Sequence, residues 1–191
     1  SKTQPGPQTP PRPDPQPEPE FEPPASVAEA IGAARKAMTA RDPEAARRYL
    51  DFAEQSALPR DRRQIEQLQV ALMPLSAFWK AAGRGVEELA PGETLAVADR
   101  QLTVTAVAPG SITVRDGEAK SRYTLATLPA ELALAVADRG LPDLPTATVS
   151  KAAFLIFDPQ GDRDLARRLC QQAEAEGLPV DALVAELDRV T

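Results

Sequence analysis

The stretch Glu93–Leu125, ETLAVADRQLTVTAVAPGSITVRDGEAKSRYTL, decides the fold class of this chain. Apolar and polar residues alternate through it with period two, the spacing of a strand with one buried face. Pro109-Gly110 and Asp116-Gly117 punctuate it; Pro-Gly fits a type II turn and Asp-Gly a type I′ hairpin. Four short strands are predicted, near 94–98, 101–107, 111–115 and 119–125, with Leu95, Val97, Leu102, Val104, Ile112, Val114, Tyr123 and Leu125 on their buried sides. Between Val104 and Val107 the alternation slips by one residue, which predicts a bulge or sharp bend. A meander this short is expected to be partly open, with its edges covered by helices.

On either side the period changes to that of helices. Upstream, Ser26 is placed to cap SVAEAIGAARKAMTA, with Glu29 three residues on as a capping box and Val27, Ala30, Ile31, Ala34 and Met38 as its apolar stripe. Asp42 caps the next helix and Pro43 opens it, with Ala46, Tyr49, Leu50 and Ala53 on the buried face. The short link predicts an antiparallel hairpin. A third helix starts near Pro59 and runs to about Leu89; Ile65, Leu68, Leu72, Leu75 and Trp79 form its seam. Pro74 predicts a kink or break at Met73. Downstream, LPAELALAVADRG, ATVSKAAFLIFDPQ, GDRDLARRLCQQAEAEG and LPVDALVAELDRVT again read as helices. The expected fold is α+β, with helical hairpins at both ends of the chain around a central four-stranded antiparallel β-meander or partly open barrel. Residues 25–191 are expected to form a single domain, helical over 25–90, β over 91–126 and helical over 127–191, with one shared core.

The two helical ends resemble each other. At an offset of 120, residues 42–66 match 162–186 at ten positions, including Asp42/Asp162, Ala46/Ala166, Ala53/Ala173, Leu58-Pro59/Leu178-Pro179 and Glu66/Glu186. The Asp residues read as helix caps, and the alanines as small residues where a neighbour packs closely. The shared pairs Arg47-Arg48 and Arg167-Arg168 read as solvated, with i,i+4 pairs from Glu44 to Arg48 and Asp164 to Arg168. A paired arginine clamp for an anion is the competing reading. The spacing in ARRYLDFA…LP and ARRLCQQA…LP resembles the second helix of a tetratricopeptide repeat, although Ala30, Ala34 and Ala37 stand in place of the Trp, Gly and Tyr typical of a first helix. That resemblance implies packing or protein-binding hairpins and no catalytic residues. The strand-rich segment also resembles the small β domains of bacterial secretion and pilus-assembly inner-membrane proteins, which sit at the end of Pro-rich tethers.

Composition narrows the function. Ten of the 20 prolines lie between Pro5 and Pro24. Residues 1–24 therefore read as a disordered Pro-rich tether, on the order of 70 Å when extended; the motif PPRP makes an SH3-type ligand the alternative. The net charge of −6, with an acid near almost every arginine, argues against nucleic acid as a partner. There is no histidine and one cysteine, Cys170, which excludes imidazole-based triads and shuttles and an intramolecular disulfide. No apolar run is long enough to span a bilayer. The chain begins with Ser rather than Met, which leaves room for a segment trimmed upstream, and residue order does not say whether an anchor or domain precedes it. The Ala- and Arg-rich, Lys-poor usage points to a bacterium, and the tether suits a cell-envelope address outside the cytoplasm.

No catalytic, cofactor or metal site emerges. DPQGDRD groups Asp158, Asp162 and Asp164 but lacks the ligand order and closing Glu of an EF-hand, so a helix cap is expected. AGRGVEEL lacks the Lys of a phosphate loop and reads as a helix irregularity. Phe78 and Trp79 point about 100° apart on a helix; one is expected in the core and the other to seal the helix against the sheet, core filling being the main reading, and an exposed one would anchor a partner. The candidate partner-binding residues are thus Phe78, Trp79, Arg47 and Arg167. The expected function is a non-enzymatic protein-interaction or scaffold module with a protein partner and no cofactor. The alternative is a small-ligand binder or enzyme working through carboxylates and arginines alone.

Overall fold

The computed structural model describes residues 23–189, so the tether expected over 1–24 lies, apart from Pro23 and Pro24, outside the described residues. Three helices come first, α1 (Val27–Thr39), α2 (Pro43–Ser56) and α3 (Pro59–Glu87). Four strands follow, β1 (Thr94–Val97), β2 (Arg100–Ala108), β3 (Ser111–Asp116) and β4 (Ala119–Thr124). A 3₁₀ turn at Leu125–Thr127 leads to α4 (Ala130–Gly140), α5 (Pro145–Phe157), α6 (Arg163–Ala175) and α7 (Asp181–Arg189). The fold is α+β, as expected.

The strands form an antiparallel meander in the order β1-β2-β3-β4, not closed into a barrel. Its register moves from Val104↔Val114 to Ala106↔Thr113. Thr105 is the extra residue that the slipped alternation predicts, and its hydroxyl donates to the Thr113 carbonyl at 3.2 Å. Gly110 takes φ 66° after Pro109, as a type II turn requires. The second hairpin differs from expectation. Asp116 pairs with Ala119, so the loop is Gly117-Glu118, and of these two only Gly117 has a positive φ, 58°. Glycine in the first loop position makes the turn type II′ rather than I′. Leu95, Val97, Leu102, Val104, Ile112 and Val114 are buried, while Tyr123 and Leu125 are only half-buried.

The helix ends follow their caps. Ser26 accepts from the Glu29 amide at 3.2 Å, and Glu29 reaches back to the Ala25 amide at 2.8 Å. Asp42 accepts from Ala45 and Asp162 from Leu165, each at 2.9 Å, so both copies of the repeat start their helix with the same bond. Ala46, Ala53, Ala166 and Ala173 are all fully buried, the condition for close helix approach.

α3 is the spine. It packs on α1, α2, α4, α5 and α7 and on β2. It runs through Pro74 as one helix, so of the expected kink or break the break is absent. Leu72, Leu75 and Ser76 are buried on either side of that position, so tertiary contacts hold the helix where local chemistry would end it. Being covered on more than one side, α3 buries both adjacent aromatics, with Phe78 0 % and Trp79 8 % exposed. Phe78 stacks on Phe154 of α5 at 4.2 Å, and Trp79 meets the same ring edge-on at 5.4 Å. The glycines of AGRGVEEL cause no irregularity. A Cβ on Gly85 would stand 2.0 Å from the Val136 carbonyl, and one on Gly140 2.1 Å from that of Ala81. Glycine on both helices lets α3 and α4 touch backbone to backbone.

One continuous buried cluster runs from Ala30 in α1 to Leu187 in α7 and takes in Leu95, Val104 and Ile112 of the sheet. The two ends of the chain are also clamped together. Arg35 of α1 grips Glu186 of α7 with two hydrogen bonds, 3.0 and 2.9 Å long, and Glu186 is 4 % exposed. Gln64 of α3, with its amide oxygen turned toward the arginines, accepts from Arg35 and Arg189. The matched position Glu66 is exposed, so the repeat diverges there.

Candidate protein-docking groove

Opposite its Ile65–Trp79 seam, α3 carries a second apolar stripe at Val70, Met73 and Ala77, spaced three and four residues apart on one face. Here the stripe meets solvent: Val70 is 50 % and Met73 71 % exposed. Pro74 lies beside it and has no amide to give, which leaves the Val70 carbonyl without its helical partner. The facing wall comes from Thr146, Val149 and Ser150 of α5, Leu178 and Pro179 of the α6–α7 link, and Ala182 and Leu183 of α7. Together they line a cleft of ≈ 350 Å³. The Ser150 hydroxyl is spent on the Thr146 carbonyl at 3.1 Å, so the walls present almost nothing but carbon.

The ends of the stripe are charged. Glu66 lies one turn before Val70, and Lys80 lies three residues past Ala77. Both are exposed. Neither forms an ion pair among the described residues.

A second concentration of polar groups lies at the turns of the hairpins. Arg41, between α1 and α2, reaches Asp158 at the end of α5 through Nε at 2.9 Å and Nη2 at 2.7 Å. Its Nη1 donates to the carbonyls of Leu128 at 2.6 Å and Ala126 at 3.1 Å. The guanidinium carbon lies 5.2 Å from the centre of the Trp79 ring. Asp158 also accepts from the Gln160 amide at 2.9 Å, and its side chain is fully buried. A cleft of ≈ 300 Å³ opens beside this cluster. Its charged groups are already matched to each other and to backbone, which makes the cluster a latch joining three chain segments.

The residues singled out from sequence fall apart in space. Phe78 and Trp79 are core residues, and burial removes both as anchors on the folded surface. Arg47 is exposed and without an ion-pair partner among the described residues. Arg167, also exposed, pairs with Asp188 across α6 and α7 at 3.3 Å. The expected Glu44–Arg48 and Asp164–Arg168 pairs are not formed among the described residues, in keeping with the small worth of such contacts. In DPQGDRD, Asp162 is the expected cap, while Asp158 belongs to the latch. No group of three His, Cys, Asp or Glu side chains gathers among the described residues to hold a metal. Cys170 is buried, and burial pushes its thiol above the ordinary pKa, a shift only partly opposed by Arg167. No helix among the described residues is long and apolar enough to cross a membrane.

Sequence reasoning missed the groove and Arg41. For the groove a signal was present: Val70, Met73 and Ala77 make α3 apolar on two sides, which a one-faced surface helix does not need. Arg41 gave no local signal, because its partners lie far along the chain. Neither a family model, nor a curated protein, nor a solved structure matches this chain.

Proposed function

We propose that this chain is a non-enzymatic protein-interaction or scaffold module, and that the α3–α5–α7 groove is its docking face. The observation that carries the reading is Met73, 71 % exposed on the wall of a carbon-lined cleft. A large flexible apolar side chain left in water at such a place loses hydration cost when a partner covers it. The polar cluster at Arg41 and Asp158 supports a binding role over a chemical one, since its groups satisfy each other. The Pro-rich segment ahead of Ala25 would act as the spacer that lets the groove reach its partner.

The test places a photo-crosslinking amino acid at position 73 and, as a control, at Glu118 on the far hairpin, in the cell that makes the protein. A discrete adduct of protein mass from position 73 alone is the expected result. Equal labelling from both positions, or none from either, would overturn the groove as a docking face.

A further inference from the structure

We infer that the occupant of the groove is a second copy of this chain, packed with α3 antiparallel to α3 about a two-fold axis near Met73-Pro74. The inference rests on the groove being a docking face and adds its partner.

It starts from the distribution of residues along the exposed stripe. Glu66 and Lys80 each stand seven residues from Met73, on opposite sides of it. Two heptads of helix put them about 21 Å apart, roughly 10 Å to either side of the centre. Val70 and Ala77 are likewise placed on either side of the Met73-Pro74 pair. A two-fold interface joins the same patch of both subunits, so residue i of one meets residue j of the other and the reverse. With α3 antiparallel to its mate, Met73 meets Pro74 and Val70 meets Ala77, and Glu66 of each copy lies within one residue's rise, about 1.5 Å, of the level of Lys80 of the other, an offset that two long side chains span. Apolar side chains then bury at the centre and opposite charges pair at both ends. A parallel pairing would set Glu66 against Glu66 and Lys80 against Lys80.

Two further observations fit this occupant. Glu66 and Lys80 have no ion-pair partner within the described part of the chain, so both are free to pair outside it. Ala77 and Pro74 are short enough for two helices to approach closely, while Met73 is the flexible side chain best suited to fill an uneven cleft. Against association stands a net charge of −6 on each copy. At about 0.15 M salt this repulsion is screened beyond about 8 Å, whereas a contact pair is screened less.

Sedimentation equilibrium of the 191-residue chain at about 0.15 M salt tests the proposal. A reversible monomer–dimer equilibrium is expected. Glu66→Lys and Lys80→Glu should each raise the dissociation constant at least about tenfold, because each sets like charges face to face at both ends. The double variant Glu66→Lys/Lys80→Glu should restore the dimer, and so should an equimolar mixture of the two single variants. These positions are exposed, and unchanged thermal midpoints will confirm that folding is intact. A wild-type chain that stays monomeric at about 200 μM overturns the self-pairing. So does a dimer that ignores the single charge reversals or is not restored by the double. Either result leaves the groove to stand or fall on the cross-linking at position 73, where a heterologous adduct would keep it as a docking face.

Discussion

Between α1 and α2 the chain turns through Arg41, and at the matching position of the second copy, between α5 and α6, it turns through Gly161. Both turns deliver an aspartate to the same capping bond, so locally they do the same work. Arg41 ends α1 at φ 64°, with its amide bonded to the Met38 carbonyl at 3.2 Å and that of Asp42 to Ala37 at 2.9 Å. The same closing pattern ends α6 with a glycine at the left-handed position, Gly177 at φ 79°. Glycine is the ordinary choice there, because a Cβ at positive φ costs about 1 kcal/mol. The first hairpin bears that strain for the sake of the Arg41 side chain, which bonds the second hairpin through Asp158 and the segment before α4 through its carbonyls. Gly161 has the opposite role. A Cβ there would stand 2.0 Å from the Leu155 carbonyl, so the second turn needs the space that the first fills with a side chain. The two copies stay alike at the local capping bond and diverge one residue before it, where Arg41 reaches across to the other hairpin and Gly161 packs on its own α5.

The sharpest way to break this contrast is Arg41→Ala. It leaves Asp158 charged, fully buried and unpaired, and the expected loss is about 3–5 kcal/mol in a urea melt. Arg41→Gly should lose about 1 kcal/mol less, since it removes the same ion pair but relieves the positive φ. Equal losses for the two would show that the strain at position 41 is not real.

Gly161→Ala should be nearly as damaging. The added methyl meets backbone and not a yielding side chain, so the loss should reach the upper end of the range for overpacking, about 3 kcal/mol. A thermal midpoint within a degree of the parent would mean that the α5–α6 turn can open without cost.

The smallest effect should come from the feature that the copies share. Asp42→Ala and Asp162→Ala each remove one N-cap bond, worth about 1 kcal/mol. The two losses should agree within about 0.5 kcal/mol and add in the double variant, because the caps share no hydrogen-bond partner. A markedly larger loss at Asp42 would show that its cap also holds Arg41 in place.

Legible in the order of residues are the α+β class, the four strands within two residues of their ends, a bulge or bend between Val104 and Val107, the caps at Ser26, Asp42 and Asp162, and the seam of α3. All of these depend on near neighbours: alternation, capping side chains and turn glycines act within a few residues of where they stand. The remaining features come from packing between distant segments. That Phe78 and Trp79 are both buried, and that α3 continues through Pro74, follows from α4 and α5 flanking a helix whose surroundings its own period cannot reveal. Arg41 became a latch because Asp158 and the carbonyls of Ala126 and Leu128 converge on it from distant parts of the chain. The groove exists for the same reason. The stripe Val70–Met73–Ala77 can be read from residue spacing, but only the placement of α5 and α7 beside it, and of nothing over it among the described residues, makes it a cleft open to solvent.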